Sequence, residues 1–442
     1  LLFRSFGRPI ASIAALKCVA SLLVLSTGFR SVSDDDFSRT VIAEQFAHAP
    51  RLDPSGTSWL PFPFWLNGAA MLAFGRSVGV ARGVAFAAGI AAPVLFYLAL
   101  RVRKVKQPEV LALLPFLAPW LSLLSVATVP EALTAGLAGA ALVGLSGQAP
   151  LSRRDLAFAL AATCACLSRY DAWPVAAACA VLALLRMKRH GVSALGVGVA
   201  LLAVVGPVAW VLWNSHAHGD ALHFLARVSR FRQSQGQAEG SLFQKALFFP
   251  RALVTDAPDL AVFAAISAAA CIRSRELRAR WGGVLLGSAA TLAFLIVGSL
   301  KDGAPTHHPA RALILLGPPL YAAGLDSAIM LTDGLRGRLP AALRRAVPGA
   351  IVMVGLALSA VAQRALVSEV LPFARASQLR EGERLRADDT SRVVLAPCKD
   401  RYDHLAIMAA FGAPERVTLD APRAVDPHER CEALVLEPAA SH

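Results

Sequence analysis

The sequence predicts an all-α, polytopic membrane protein of about eleven transmembrane helices, followed by a small C-terminal α/β domain. Three observations predict it. Apolar stretches of about 18 residues or more recur along the chain, each long enough to cross a roughly 30 Å hydrocarbon core as a helix. Short Arg/Lys clusters separate them in alternate loops. Beyond residue 367 the pattern turns polar, with short Val/Leu runs of strand character.

Composition agrees. Hydrophobic residues make up 56% of the 442, charged residues only 17%, and mean hydropathy is +0.54. The formal charge of +14 does not indicate nucleic-acid binding, because the basic residues sit between apolar spans where membrane topology requires them. The excess of Arg over Lys and the abundance of Ala suggest a GC-rich bacterium. Such a chain belongs in a bacterial inner membrane.

Spans are expected near 9–29, 78–100, 109–128, 131–147, 156–168, 172–186, 193–214, 258–272, 282–299, 310–331 and 347–367. The first lacks a small-x-small cleavage site and reads as an uncleaved helix. The chain begins without Met, so a few residues are expected upstream. Leu60–Phe74, with Pro61, Pro63 and Asn67, reads as a re-entrant or interfacial helix. A transmembrane unit of 1–367 and an extracytoplasmic α/β unit of 368–442 follow, the latter with strands at Arg392–Pro397, Arg416–Leu419 and Ala433–Leu436 and a helix at His404–Phe411.

With the N-terminus in the cytoplasm, every inside loop is basic: Arg101 to Lys106, Arg153-Arg154, Arg186 to Arg189, Arg273 to Arg280, and Arg336 to Arg345. The outside segments are 30–77, Val129–Glu131, Arg169–Asp171, 215–257, 300–309 and the tail. Nine of the ten histidines lie there. Chemistry is therefore expected on one face. Five of the seven cysteines lie in apolar spans as small hydrophobes, whereas Cys398 and Cys431 lie in the tail and could pair there.

On that face Asp34, Asp35 and Asp36 follow the first span directly. Mutual repulsion and crowding could hold one carboxylate's pKa high enough for general-base work, though a solvated or helix-capping role is equally compatible. Ser168-Arg169-Tyr170-Asp171-Ala172-Trp173 concentrates polar and aromatic groups at one boundary, where aromatics also serve as interfacial anchors. Arg82 and Arg311 lie near span ends and are costly there unless paired, with a lipid phosphate or with an internal carboxylate such as Asp302 or Asp171. His216, His218, Asp220 and His223 lack a strong metal-ligand spacing. No cofactor is expected, with a divalent metal as the minor alternative.

Together these segments resemble the GT-C superfamily of membrane glycosyltransferases, of the protein O-mannosyltransferase and lipid A aminoarabinose transferase type. Asp35-Asp36 followed by Ala43-Glu44 is similar to the family's acidic motif and its helix. Trp59-Leu60-Pro61 and Phe64-Trp65-Leu66 resemble its proline-rich aromatic segment. Ala81-Arg82, Tyr97 with Arg101, Pro130-Glu131, Ser168 to Trp173 (usually Thr-Arg-Tyr-Glu-Gly-Trp) and His308-Pro309-Ala310-Arg311 are similar to later signatures. The likeness covers roughly residues 9–330. It departs where a third Asp makes Asp34 an alternative base, and where Ala312 replaces an aromatic.

The resemblance implies transfer of a hexosyl or pentosyl group from a polyprenyl-phosphate carrier to a lipid, glycan or protein acceptor outside the cytoplasmic membrane. Asp35 would be the base, with Asp34 and Asp36 beside it. Arg82, Arg169 and Arg311 would hold the donor phosphate, and Glu131, Tyr170, Asp171, Trp59 and His308 would line the substrate site. Competing classes are a non-enzymatic flippase or transporter and an O-antigen-type ligase or polymerase. A first-loop Asp variant separates them.

Overall fold

A computed structural model of the protein describes residues 2–56, 58–234, 241–301, 309–336, 340–389, 391–398, 401–422 and 434–436. His308, Asp302 and Cys431 lie outside these described residues.

The long apolar helix α1 (Leu2–Ser26) leads into α2 (Asp35–His48) and the 13-residue α3 (Phe62–Phe74). The 25-residue α4 (Val78–Val102) starts where the Ser77 hydroxyl accepts the Val80 N–H at 3.2 Å, an N-cap that satisfies an orphan donor. Next come α5 (Pro108–Leu117) and α6 (Pro119–Leu124), separated because Pro119 cannot continue the helix. The break frees the Phe116 carbonyl, which accepts the Ser122 hydroxyl at 3.0 Å and the ammonium of Lys17 at 2.7 Å. Lys17 is a fully buried cation inside α1 that the sequence reading overlooked.

Helix α7 (Glu131–Leu145) is buried along almost its whole length. Its Gly136 packs so close to α4 that an added Cβ would meet the Ala92 Cβ at 2.6 Å. Against it pack α8 (Arg153–Cys166) and α9 (Trp173–His190), and α10 (Ala194–His218) packs on those two. Within the 215–257 segment lie α11 (His223–Ser234) and α12 (Leu242–Thr255). Then α13 (Pro258–Arg273), α14 (Arg275–Leu300), the short α15 (Pro309–Leu313) and α16 (Gly317–Arg336) complete the central bundle. The last apolar pair is α17 (Ala341–Ala362) and α18 (Arg364–Val370).

Among the described residues six helices are long and apolar enough to span a bilayer, or eight when two bent pairs count as one span each. The pairs are α12–α13, bent by 91°, and α17–α18, bent by 51°. The sequence reading of about eleven spans exceeds this because 109–128 is broken at Pro119 and α7 and α8 have only 15 and 14 residues. Burial inside protein, as seen along α7, demands the same apolar composition as burial in lipid.

The tail adds α19 (Ala376–Ala387), α20 (His404–Phe411) and a three-stranded sheet of order β2-β1-β3. Strand β1 (Val393–Ala396) pairs parallel with β2 (Val417–Leu419) and antiparallel with β3 (Leu434–Leu436). Leu385, Val393, Leu395, Ile407 and Phe411 share one core with Phe37 and Val41 of α2. The tail thus packs on the helix that opens with the acidic triplet. Cys398 is disulfide-bonded, while Cys18, Cys164, Cys166, Cys179 and Cys271 are free.

Candidate active site

The three consecutive aspartates have three different environments. Asp34 precedes α2 and takes a two-pronged pair from Arg375 of the tail, Nε to Oδ1 at 2.9 Å and Nη2 to Oδ2 at 2.8 Å. Asp36 is buried and fully occupied. Its Oδ2 accepts the N–H groups of Val32 (2.9 Å) and Ser33 (3.2 Å), and its Oδ1 accepts the N–H (2.8 Å) and hydroxyl (3.0 Å) of Thr128. Asp35 alone turns to a cluster of arginines and carboxylates, with 38% of its side chain still exposed.

That cluster is centred on Arg311, in the short helix α15. Its Nη1 donates to Asp35 Oδ2 at 2.7 Å, and its Nε and Nη2 reach Glu131 Oε1 at 2.8 and 2.7 Å. Glu131 is completely buried in the first turn of α7, where the helix dipole favours a carboxylate. Its Oε1 also accepts Arg169 Nη1 at 2.6 Å, whereas its Oε2 has no hydrogen-bond partner among the described residues. Arg169 in turn forks onto Asp171, with Nε and Nη2 at 3.0 and 2.8 Å from Oδ2. Two of the three expected arginines and three of the expected carboxylates are brought together.

One member was missed from sequence. Arg39, one turn after Asp35 on α2, is buried with its guanidinium 4.3 Å over the Trp59 ring and 5.7 Å from that of Phe64. No carboxylate bonds it among the described residues, and its Nε has no hydrogen-bond partner. Burial lowers its pKa to about 10, which leaves it charged at neutral pH. Its spacing from Asp35, i and i+4 on one helix face, was the available signal. Asp35, Glu131 and Asp171 balance Arg39, Arg169 and Arg311 in formal charge.

The pKa expectation for the triplet needs correction. Burial raises Asp35, but the charges of Arg311 and Arg39 and the Arg311 hydrogen bond outweigh it, so the carboxyl lies below its ordinary value. Asp36 is the one raised, by burial, and its oxygens are already bonded. Opposite charge, not crowding, governs Asp35.

Other expected residues stand further out. Arg82 donates to the Arg30 carbonyl at 3.2 Å and makes no contact with the cluster among the described residues. The Tyr170 hydroxyl accepts Trp210 Nε1 at 3.0 Å, and its ring stacks on Phe224 with centroids 4.7 Å apart. The His218 ring stacks on His223 at 4.2 Å, and no three metal-ligating side chains gather among the described residues.

Fold and site together define a multi-pass helical membrane protein with a buried arginine–carboxylate cluster at the start of α2. Solved structures share this fold. It is similar to ArnT from Cupriavidus metallidurans bound to undecaprenyl phosphate, with a TM-score of 0.57, 18% identity, and coverage of 93% of this chain and 89% of that one. The apo state of that ArnT gives a TM-score of 0.53, 17% identity and the same coverage. The archaeal oligosaccharyltransferase AglB from Archaeoglobus fulgidus, in complex with an inhibitory peptide and a dolichol-phosphate, gives 0.47, 14% identity, and 88% and 59% coverage. No family profile and no curated protein matches the chain.

Proposed function

We propose that the protein is a membrane glycosyltransferase that moves a sugar from a polyprenyl-phosphate carrier to an acceptor on the extracytoplasmic face. The observation that carries this reading is Arg311 bridging Asp35 and Glu131, in a fold similar to that of an ArnT bound to undecaprenyl phosphate. The disulfide at Cys398 supports a tail in an oxidising compartment, and hence this orientation.

In the proposed reaction the acceptor oxygen attacks the anomeric carbon. The bond from that carbon to the phosphate oxygen breaks, and its electron pair leaves with the lipid phosphate. Asp35 takes the acceptor proton. The departing phosphate needs positive charge more than a proton. Arg39, which no carboxylate bonds among the described residues, is the first source, and Arg311 and Arg169 follow. Glu131 Oε2, buried and without a hydrogen-bond partner among the described residues, is an acceptor open to a sugar hydroxyl. A donor phosphate would also compete with Asp35 for Arg311. Drawing that guanidinium away removes the larger of the two charges that depress Asp35, so donor binding itself makes Asp35 a stronger base.

The test uses undecaprenyl phosphate and the purified protein. Thermal stabilisation by this lipid should fall about tenfold or more in apparent affinity for Arg39→Gln, the loss of one charge-assisted fork being worth about 1.5–3 kcal/mol. Unchanged affinity would remove Arg39 from the phosphate site. A protein that never responds to the lipid would remove the donor class.

A further inference from the structure

A second arginine cluster lies at the other end of the same helices. Helix α7 runs from Glu131 for 15 residues, about 22 Å, to Gly147 just beyond its end. There Arg186 of α9 is fully engaged, with Nη1 2.7 Å from Asp155 Oδ1, Nε 2.8 Å from the Ala149 carbonyl and Nη2 3.1 Å from the Pro150 carbonyl. Arg280 of α14 is also paired, with Asp326 Oδ2 and Glu276 Oε1 each at 2.9 Å. The third, Arg103, caps the end of α4 and is half-buried. Its Nη2 donates to the Arg280 carbonyl at 2.8 Å, and no carboxylate pairs with it among the described residues.

Gly147 keeps a gap open between these groups. A Cβ there would lie 3.4 Å from Arg103 Nη1 and 3.5 Å from Arg186 Nη1, and its φ is not positive, so the backbone does not demand glycine. The missing side chain leaves a notch flanked by two guanidiniums at a partly exposed position. Next to the arginines in sequence, Val102 is 40% exposed and Leu185 42% exposed. Exposed Arg101 and Lys104 add further positive charge.

We propose that this notch binds the phosphate of an anionic bilayer phospholipid, with Arg103 as the principal ligand. Guanidinium matches phosphate oxygens bidentately. Basic pockets between membrane helices suit lipid headgroups, and the exposed Val102 and Leu185, next in sequence to Arg103 and Arg186, offer apolar surface for the acyl chains that a soluble anion lacks. The site is separate from the Arg311 cluster and does not depend on the transferase reading.

Thermal unfolding of the purified protein is measured with phosphatidylglycerol, with phosphatidylcholine and with inorganic phosphate. Phosphatidylglycerol alone should stabilise the wild type. Arg103→Gln should weaken the apparent affinity about tenfold. Gly147→Val fills the notch while keeping every charge, and it should weaken binding similarly even if Arg103→Gln folds poorly. Asp35→Asn should retain the full response. Equal phosphatidylglycerol responses in wild type, Arg103→Gln and Gly147→Val would overturn the proposal, as would equal stabilisation by inorganic phosphate.

Discussion

Arg311 and Asp35, 276 residues apart in sequence, meet in a 2.7 Å ion pair. The same guanidinium holds fully buried Glu131 through two further donors. A lysine carries the charge but has no fork, so it cannot serve both carboxylates from one position. Arg311→Lys should therefore lower both thermal stability and transfer, with transfer down at least tenfold, and Arg311→Ala should do more damage on both counts. Leaving Glu131 buried with one cation fewer makes the stability loss on the order of 3 kcal/mol. Full stability in Arg311→Lys would mean that Arg169 suffices for Glu131.

The aspartate triplet should separate into three phenotypes. Asp35→Asn should keep the fold and lose transfer by about a hundredfold or more, the size of a typical general-base contribution. Asp36→Asn should act on stability instead, because four donors converge on that carboxylate. Asp34→Asn should loosen the tail, and Arg375→Gln should reproduce it. Parallel activity and melting measurements on the four variants check this, and equal losses in all three Asp variants would contradict the division.

Glu44 predicts a pH effect. It is completely buried on α2, neither oxygen has a hydrogen-bond partner among the described residues, and burial raises its pKa well above the ordinary carboxylate value. A raised folded-state pKa gives a stability contribution that is complete below the unfolded value and is lost as pH rises through the folded one. Glu44→Gln should melt higher than wild type at pH 8, with the difference shrinking toward pH 5. A pH-independent difference would mean that the carboxyl finds a partner.

Loop charge and the tail disulfide support the proposed topology, with the tail outside. Ser377 is exposed at the start of α19. Ser377→Cys should react with a membrane-impermeant thiol reagent in cells whose inner membrane is intact. Labelling only after that membrane is broken would reverse the orientation.

The sequence made much of this visible, and the physics explains what it hid. The boundary signals of the long helices, such as Ser77 before α4, are local and readable. Arg311 stood out because an unpaired charge in an apolar span is costly, the triplet and Arg169 because polar groups crowd at a span boundary, and Glu131 through the family resemblance. Their partners did not, since Arg311 was expected near Asp302 or Asp171 and instead meets residues 276 and 180 positions away. Arg39 escaped notice because a lone arginine in a polar helix reads as solvated until Trp59 is placed beneath it. Whether α7 counts as a span was not legible either, because burial inside protein and burial in lipid demand the same apolar composition.

The central claim, that Asp35 serves sugar transfer from a polyprenyl-phosphate donor, is tested most directly in lipid extracts. Cells lacking the protein are complemented with wild type or Asp35→Asn, at matched membrane levels, and their polyprenyl-phosphate sugars are measured. One lipid-linked sugar should accumulate in the deletion and in Asp35→Asn and return to its basal level with wild type. Basal levels of every such lipid in the Asp35→Asn cells would contradict the account.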